Sequence, residues 1–144
     1  HAGLGHRRAA FARFSRAFKI QLLNQITLRM MAQVSPAHFA AWRNAASLEP
    51  VVLDVREPWE LQTASVTPDG FVLLHVPMQS IPARLTELKS TYSEDQPIAC
   101  LCHHGIRSQQ VADYLVRNGF TNVVNLQGGI AAWAQQLDTS LAQY

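Results

Sequence analysis

The stretch "PIACLCHHGIRSQQVADYLVRNGFTNVVNLQGGIAAW", residues 97–133, contains two strand-like segments, each followed by a helix-like segment. "PIACLC" (97–102) and "NVVNL" (122–126) are short and mostly apolar, which is typical of strands buried on both faces. The segment between them has apolar residues at helical spacing and ends at Gly119, a residue that favours the left-handed conformation after a helix. Strands that alternate with single helices predict a parallel sheet covered on both faces, an α/β fold.

The same alternation extends towards the N-terminus. "VVLDV" (51–55) and "FVLLHV" (71–76) predict two further buried strands, and "AQVS" (32–35) predicts an edge strand. Ser35-Pro36 supplies an N-cap and a proline in the first turn of a helix. We therefore expect a single domain over residues 31–144.

Composition and charge limit the classes of function. A chain of 144 residues that is 48% hydrophobic can bury the core of one globular domain. Residues 1–30 carry six basic side chains and no acid, whereas residues 31–144 carry six basic side chains against ten acids, a net charge of −4. A domain with this charge has no basic footprint for nucleic acid. No run approaches the roughly 20 apolar residues of a membrane span, so no transmembrane segment is expected.

The basic segment 1–30 is expected to lie outside the domain, as a leader or arm. Because the chain begins with His1 and a Met30-Met31 pair precedes the domain pattern, we expect it to be upstream of the true start or added for expression. A native docking arm and a targeting peptide are the alternatives. Only two cysteines occur, two positions apart, so no disulfide framework is expected and a cytoplasmic location is the prediction.

The segment "CLCHHGIRS", residues 100–108, permits three interpretations. As a metal site, Cys100, Cys102, His103 and His104 are too close together to form a tetrahedron, and no second pair of ligands exists, so no metal is expected. As a redox pair, the C-x-C spacing is one residue shorter than C-x-x-C, and a disulfide would need local rearrangement. Cys100 is more simply interpreted as a small buried residue of the strand.

The third interpretation is a loop that presents one reactive sulfur. Cys102 ends a strand, four residues separate it from Arg107, and Ser108 is placed to cap the following helix. A tight strand-to-helix loop directs several N–H groups at one point, and the helix N-terminus adds partial positive charge, which together stabilise a thiolate. Gly105 permits the backbone conformation of such a loop. The loop is one residue shorter than the phosphate-binding loop of cysteine phosphatases, so we expect a smaller guest, such as one sulfur atom carried on Cys102.

These segments resemble the rhodanese (sulfurtransferase) family. Residues 97–133 are similar to its C-x-x-G-x-R-S loop and closing L-x-G-G-I-x-x-W, "LDVREPWE" (53–60) to its D-V-R-E segment, and "VPMQSIPARLTEL" (76–88) to its P-x-x-x-I-P-x-R-x-x-E-L helix. The resemblance implies a three-layer sandwich with a central, mostly parallel five-stranded sheet. The chain departs from the family at residues 64–76, "ASVTPDGFVLLHV", where the family carries G-H-I-P-G-A.

The resemblance also implies the chemistry. Cys102 would take a sulfane sulfur from a donor such as thiosulfate, become a persulfide, and pass the sulfur to a thiol or cyanide acceptor, with no cofactor. The alternative is a sulfur carrier or sensor that passes its persulfide to a specific protein partner. The loop amides would hold the outer sulfur and Arg107 would steady an anionic donor. The expected substrate-binding positions are His103, His104, Gly105, Ile106 and Arg107.

The expected supporting residues are Ser108, Asp54, Arg56 and Glu57. Asp54 is expected to bond nearby loop amides, and Arg56 to pair with Glu57 or Glu60. His103 and His104 are expected at the pocket rim, where they are either partly charged at neutral pH, favouring an anionic donor, or without a special role.

Overall fold

The computed structural model describes residues 13–31 and 33–144, with side chains for 13–23 and 33–144. Part of the predicted leader, residues 1–12, and Ala32 of the predicted edge strand lie outside the described residues. The chain divides into two compact units, His1–Met31 and Ala32–Tyr144. The first contains helix α1 (Arg16–Met31). Within the described ranges, no helix is both long and apolar enough to span a membrane.

The second unit is built on a five-stranded sheet in the order β1-β5-β4-β2-β3. Every neighbouring pair is parallel, which confirms the predicted sheet and makes it parallel throughout. The strands are β1 (Gln33–Val34), β2 (Val51–Asp54), β3 (Val72–His75), β4 (Ile98–Leu101) and β5 (Val123–Leu126). Because parallel strands end at one edge of the sheet, the loops after β2, β4 and β5 lie side by side there.

Five helices connect or follow these strands. They are α2 (Pro36–Ala45), α3 (Pro58–Thr63), α4 (Ile81–Thr91), α5 (Ile106–Arg117) and α6 (Gly129–Gln136), and one 3-10 turn, Met78–Ser80, precedes α4. A proline occupies the first turn of α2, α3 and α4, where a missing N–H costs nothing. Gly119 follows α5 with a φ of +104°, as the sequence predicts for a C-terminal glycine.

The sheet separates two hydrophobic cores, because alternate residues of each strand point to opposite faces. Leu53 of β2 and Cys100 of β4 pack with the apolar sides of α4 and α5 on one face. Val52 of β2 and Ala99 of β4 pack with residues of α2 and α6, including Phe39 and Trp133, on the other. All four residues of β2, β4 and β5 are buried, which is why these strands read as nearly continuous apolar runs.

Three details of the predicted elements are wrong. The strand within residues 71–76 is not buried, because β3 is an edge strand with a neighbour on one side only and Val72 remains 43% exposed. Strand β4 ends at Leu101, so Cys102 is the first residue of the loop and not the last of the strand. Helix α5 begins at Ile106, so Ser108 is its third residue and does not cap it.

Candidate active site

The loop between β4 and α5 surrounds the sulfur of Cys102, which is only 1% exposed. The N–H group of Gly105 donates a hydrogen bond to Cys102 Sγ at 3.1 Å. Gly105 is the residue before α5 and has a φ of +98°, which a residue with a Cβ rarely adopts. An N–H group at a helix N-terminus therefore points at the sulfur, in a geometry that stabilises negative charge on it.

Ser108 provides the second polar contact to this sulfur. Its Oγ lies 3.1 Å from Cys102 Sγ and 2.6 Å from Asn125 Oδ1 on β5. The amide of Asn125 is oriented by its own Nδ2, which donates to the carbonyl oxygen of Gly105 at 3.0 Å and to Gln33 Oε1 at 3.2 Å. The predicted capping role of Ser108 is replaced by a bond to the sulfur, because its side chain points from the first turn of the helix into the loop.

The N-terminus of α6 secures the backbone of the same loop. Ile130 N–H donates to the carbonyl oxygen of Cys102 at 2.8 Å, and Ala131 N–H donates to that of His103 at 3.1 Å. Gly129, with a φ of +63°, allows this approach, because a Cβ at that position would lie 2.3 Å from the His103 oxygen. Gly129, just after β5, thus allows α6 to position the sulfur loop.

Asp54 and Arg56 form a buried ion pair at the end of β2. Arg56 Nη2 lies 2.8 Å from Asp54 Oδ2, and both side chains are fully buried. Burial disfavours the guanidinium charge, but the hydrogen bonds to Asp54 and Tyr144 outweigh it and raise the pKa of Arg56. Asp54 Oδ1 also accepts the backbone N–H of Arg56 at 3.1 Å, as predicted for a loop amide. The predicted ion pair of Arg56 with Glu57 or Glu60 is wrong, since Asp54 is two residues away on the same side of the strand end. Glu60 offers Arg56 only its backbone carbonyl oxygen, 3.3 Å from Nη1.

Glu60 pairs instead with Arg107, the last residue of the C-x-x-G-x-R segment that begins at Cys102. Arg107 Nη1 lies 2.7 Å from Glu60 Oε2, and Nη2 lies 2.8 Å from Oε1, a bidentate pair. These bonds lower the pKa of Glu60 to about 2 although burial opposes the shift, and they raise the pKa of Arg107. Glu57, exposed before α3, donates its backbone N–H to Glu60 Oε2 at 2.8 Å.

Tyr144 joins these two ion pairs. Its hydroxyl donates to Glu60 Oε1 at 3.0 Å and accepts from Arg56 Nη1 at 2.7 Å. Its ring stacks on His103, with centroids 3.9 Å apart, and His103 stacks on His104 at 3.8 Å. Tyr144 therefore connects the supporting residues at the end of β2 to the rim of the sulfur loop.

The two rim histidines differ in their surroundings. His104 is exposed, as predicted, but His103 is half-buried between the two other rings. Burial lowers the pKa of His103, and the neighbouring His104 lowers it further, so a positive charge on this ring is disfavoured. Of the two alternatives for His103, the lowered pKa favours the one without a positive charge, because the stack partly removes the ring from water.

The structure brings most of the predicted residues to one place and adds three. Gly105 and Ser108 bond to the sulfur of Cys102, and Arg107 bonds to Glu60. Ile106, in contrast, is 73% exposed. The sequence interpretation missed Asn125 and Tyr144 and did not recognise Glu60 as the partner of Arg107. A polar residue inside the apolar run "NVVNL" was a usable signal for Asn125, since a buried amide needs partners. Tyr144 carried no such signal.

No metal centre is evident in the part of the chain that the structure describes. Within it, no group of three or more His, Cys, Asp or Glu side chains is arranged to hold an ion. Both cysteines are free thiols, and burial raises the pKa of Cys100 strongly. His75, on β3, bonds through Nε2 to the carbonyl oxygen of Arg56 at 2.7 Å and so belongs to the scaffold of the β2 end.

A parallel sheet with a buried cysteine in a tight loop at its carboxyl edge fits the family that the sequence resembles, and comparisons with known proteins agree. The family model for the rhodanese-like domain matches residues 35–136, and the chain belongs to this family. A sulfurtransferase of Allochromatium vinosum is 36% identical over 93 residues, which cover 65% of this chain and 79% of that protein. The thiosulfate sulfurtransferase GlpE of Coxiella burnetii is 32% identical over 111 residues, covering 77% and 94%.

A solved structure also has a similar fold. The rhodanese-like domain protein of Staphylococcus aureus superposes with a TM-score of 0.58 at 25% identity, covering 72% of this chain and 91% of that one. The fold and the family are therefore both those of rhodanese-like sulfurtransferases.

Proposed function

We propose that this protein transfers sulfane sulfur through a persulfide on Cys102. The observation that carries the proposal is the pair of donors at the sulfur, Gly105 N–H and Ser108 Oγ, each 3.1 Å from Sγ. The Cys102 thiolate attacks the outer sulfur of the donor, a new S–S bond forms, and the donor's S–S bond breaks. With thiosulfate the leaving group is sulfite, which departs with the electron pair.

The second half of the cycle returns the enzyme to its starting state. A thiol or cyanide attacks the outer sulfur of the persulfide, and the Cys102 thiolate leaves. With cyanide the product is thiocyanate. Gly105 N–H and Ser108 Oγ donate to whichever sulfur of Cys102 carries the negative charge, so they support both halves of the cycle.

The remaining residues receive binding or supporting roles in this proposal. The donor is bound by the loop positions His103, His104, Gly105, Ile106 and Arg107. Glu60 occupies two of the five N–H donors of Arg107, so the others remain for the donor's oxygens. Asp54, Arg56 and Glu57 support the loop indirectly, through Tyr144 and Glu60. The name of the Coxiella burnetii relative, a thiosulfate sulfurtransferase, supports thiosulfate as one donor.

The test is to load the protein with thiosulfate and to measure its intact mass. We expect the wild-type protein to gain one sulfur atom, and Cys102→Ala not to gain it. Cys100→Ala is the matched control, because it removes the other buried thiol, which lies two residues away on β4. Thiocyanate production from cyanide should follow the same order. A sulfur atom gained by Cys102→Ala would overturn the proposal.

A further inference from the structure

The charge at the mouth of the sulfur loop depends on two basic side chains. Residues 33–144 contain six lysine and arginine side chains. Of these, only Arg56 and Arg107 bond to residues around Cys102. Arg84 pairs with the carboxylate of Glu87, Arg43 and Arg117 donate to the backbone carbonyl oxygens of Asp69 and Asp113, respectively, and Lys89 lies beside Gly119. Whether the site attracts anions is therefore decided by the partners of Arg56 and Arg107.

Both of these charges are cancelled by a carboxylate. Arg56 is paired with Asp54, and neither side chain is exposed. Arg107 is paired through two short bonds with Glu60, whose side chain is 4% exposed. Because the pKa of Glu60 is about 2, this carboxylate stays ionised throughout the neutral range. The two ion pairs sum to zero charge, and the exposed Glu57 adds one negative charge beside them.

The other groups around the loop are mostly aromatic rings. Burial lowers the pKa of His103 and raises the pKa of Tyr144, so in both rings it disfavours the charged form. The stack of Tyr144, His103 and His104 is bordered by Trp59, whose ring lies edge-on to Tyr144 at 5.9 Å and is 59% exposed. The surroundings of the sulfur are thus aromatic, and both arginine charges among them are paired with carboxylates, which does not suit a small dianion.

We propose that Glu60 is a specificity-determining residue that makes the site favour monoanionic sulfur donors carrying an organic group over the thiosulfate dianion. This inference rests on the proposed persulfide chemistry of Cys102. A dianion gains little from an arginine whose charge is already cancelled, and it is repelled by the carboxylate that cancels it. A monoanionic donor is repelled half as much, and its organic group can pack on the aromatic stack.

The probe for this class is benzenethiosulfonate. The Cys102 thiolate attacks its outer sulfur, the S–S bond to Cys102 forms, and the donor's S–S bond breaks to release benzenesulfinate with the electron pair. The charge of −2 is the same before and after the step, and no oxidant or reductant is needed. Thiosulfate delivers the same sulfur but carries one more negative charge, so the two donors form a matched pair.

The experiment compares kcat/KM for both donors in the wild-type protein, Glu60→Gln and Glu87→Gln. We expect Glu60→Gln to raise kcat/KM for thiosulfate about tenfold more than for benzenethiosulfonate, mainly through a lower KM for thiosulfate, because the freed Arg107 attracts the dianion twice as strongly. Glu87→Gln breaks the exposed pair with Arg84 and should leave the ratio unchanged. A ratio that stays within twofold of the wild-type value in Glu60→Gln would overturn the inference.

A second measurement needs no variant and so does not depend on the folding of Glu60→Gln. In the wild-type protein, kcat/KM for thiosulfate should not fall as salt rises from about 20 to 200 mM, because there is no net positive charge to screen. A several-fold fall would indicate an unpaired Arg107 and contradict the inference. Failure of the proposed function and failure of this inference give different results. If the proposed function is wrong, neither donor adds a sulfur atom to Cys102. If only the inference is wrong, both donors still add it.

Discussion

The hydroxyl of Ser108 has one proton and two acceptors, Cys102 Sγ at 3.1 Å and Asn125 Oδ1 at 2.6 Å. The side-chain amide of Asn125 cannot turn to relieve this, because its Nδ2 already donates to two oxygens. With a neutral thiol, the S–H group can donate to Ser108 while Ser108 donates to Asn125. With an anionic sulfur, the hydroxyl proton must turn to the sulfur instead. Ser108 is therefore the residue whose hydrogen bonding changes with the charge of Cys102.

Ser108→Ala should slow persulfide formation by about tenfold or more, since a hydrogen bond to a charged group is worth about 1.5–3 kcal/mol. The rate is measured from the mass gain after mixing with thiosulfate. Ser90→Ala is the control, because its exposed hydroxyl bonds only to the Glu87 carbonyl oxygen. A rate within twofold of the wild-type value would show that Gly105 N–H suffices.

Glu60 is the residue that should make stability depend on pH. Its pKa is about 2 in the folded protein and 4.5 ordinarily, so its stabilising contribution is complete above pH 4.5 and is lost as pH falls towards 2. Between pH 6 and pH 3, the free energy of unfolding of the wild-type protein should therefore fall by about 2 kcal/mol more than that of Glu60→Gln. Urea unfolding at the two pH values measures this. Parallel losses in both proteins would contradict the assigned pKa.

At the scale of elements, the sulfur loop is secured by the N-terminus of α6 more than by its own helix. The first amides of α6 bind the carbonyl oxygens of Cys102 and His103, and only a glycine at position 129 lets the two backbones come this close. The element that follows β5 thus shapes a loop that follows β4. This arrangement depends on β4 and β5 being neighbours in the sheet.

Gly129→Ala should consequently destabilise the domain and disturb the loop together. The added Cβ would lie 2.3 Å from the His103 carbonyl oxygen, in addition to the strain of a positive φ. Gly119→Ala is the matched control, because its φ is +104° but the nearest atom, Lys89 Nζ, is 3.7 Å away. We expect a loss of about 1–2 kcal/mol for Gly119→Ala and at least about 2 kcal/mol more for Gly129→Ala, measured by urea unfolding. Equal losses would show that the close contact is relieved at no cost.

At the scale of the whole molecule, the sheet order decides which loops meet. Strands β2 and β5 flank β4, so the residues after β2, including Arg56 and Glu60, and the glycines after β5 lie on either side of Cys102. The predicted domain boundary belongs to this scale as well. We propose that residues 31–144 fold as an independent domain, since both cores are drawn from residues 34–144.

A chain that begins at Met31 should therefore unfold in urea with a free energy within about 0.5 kcal/mol of the full chain, the range of changes that touch no core residue. It should also gain sulfur on Cys102 at the same rate. Loss of folding in the shortened chain would contradict the proposed boundary. Normal folding with slower sulfur loading would instead assign the basic segment to the reaction.

The sequence by itself determined the order of strands and helices and the loop between Cys102 and Arg107, because apolar periodicity, turn residues and short spacings act over a few neighbouring positions. Its motifs also indicated the family, by resemblance. The tertiary structure decided the chemical surroundings of the sulfur. Glu60 and Arg107 are 47 residues apart, Tyr144 and Glu60 are 84 apart, and Ser108 and Asn125 are 17 apart. Such pairs form only when the sheet order and helix packing bring separate loops together. For this reason the charge of the site could not be derived from the residues of the loop alone.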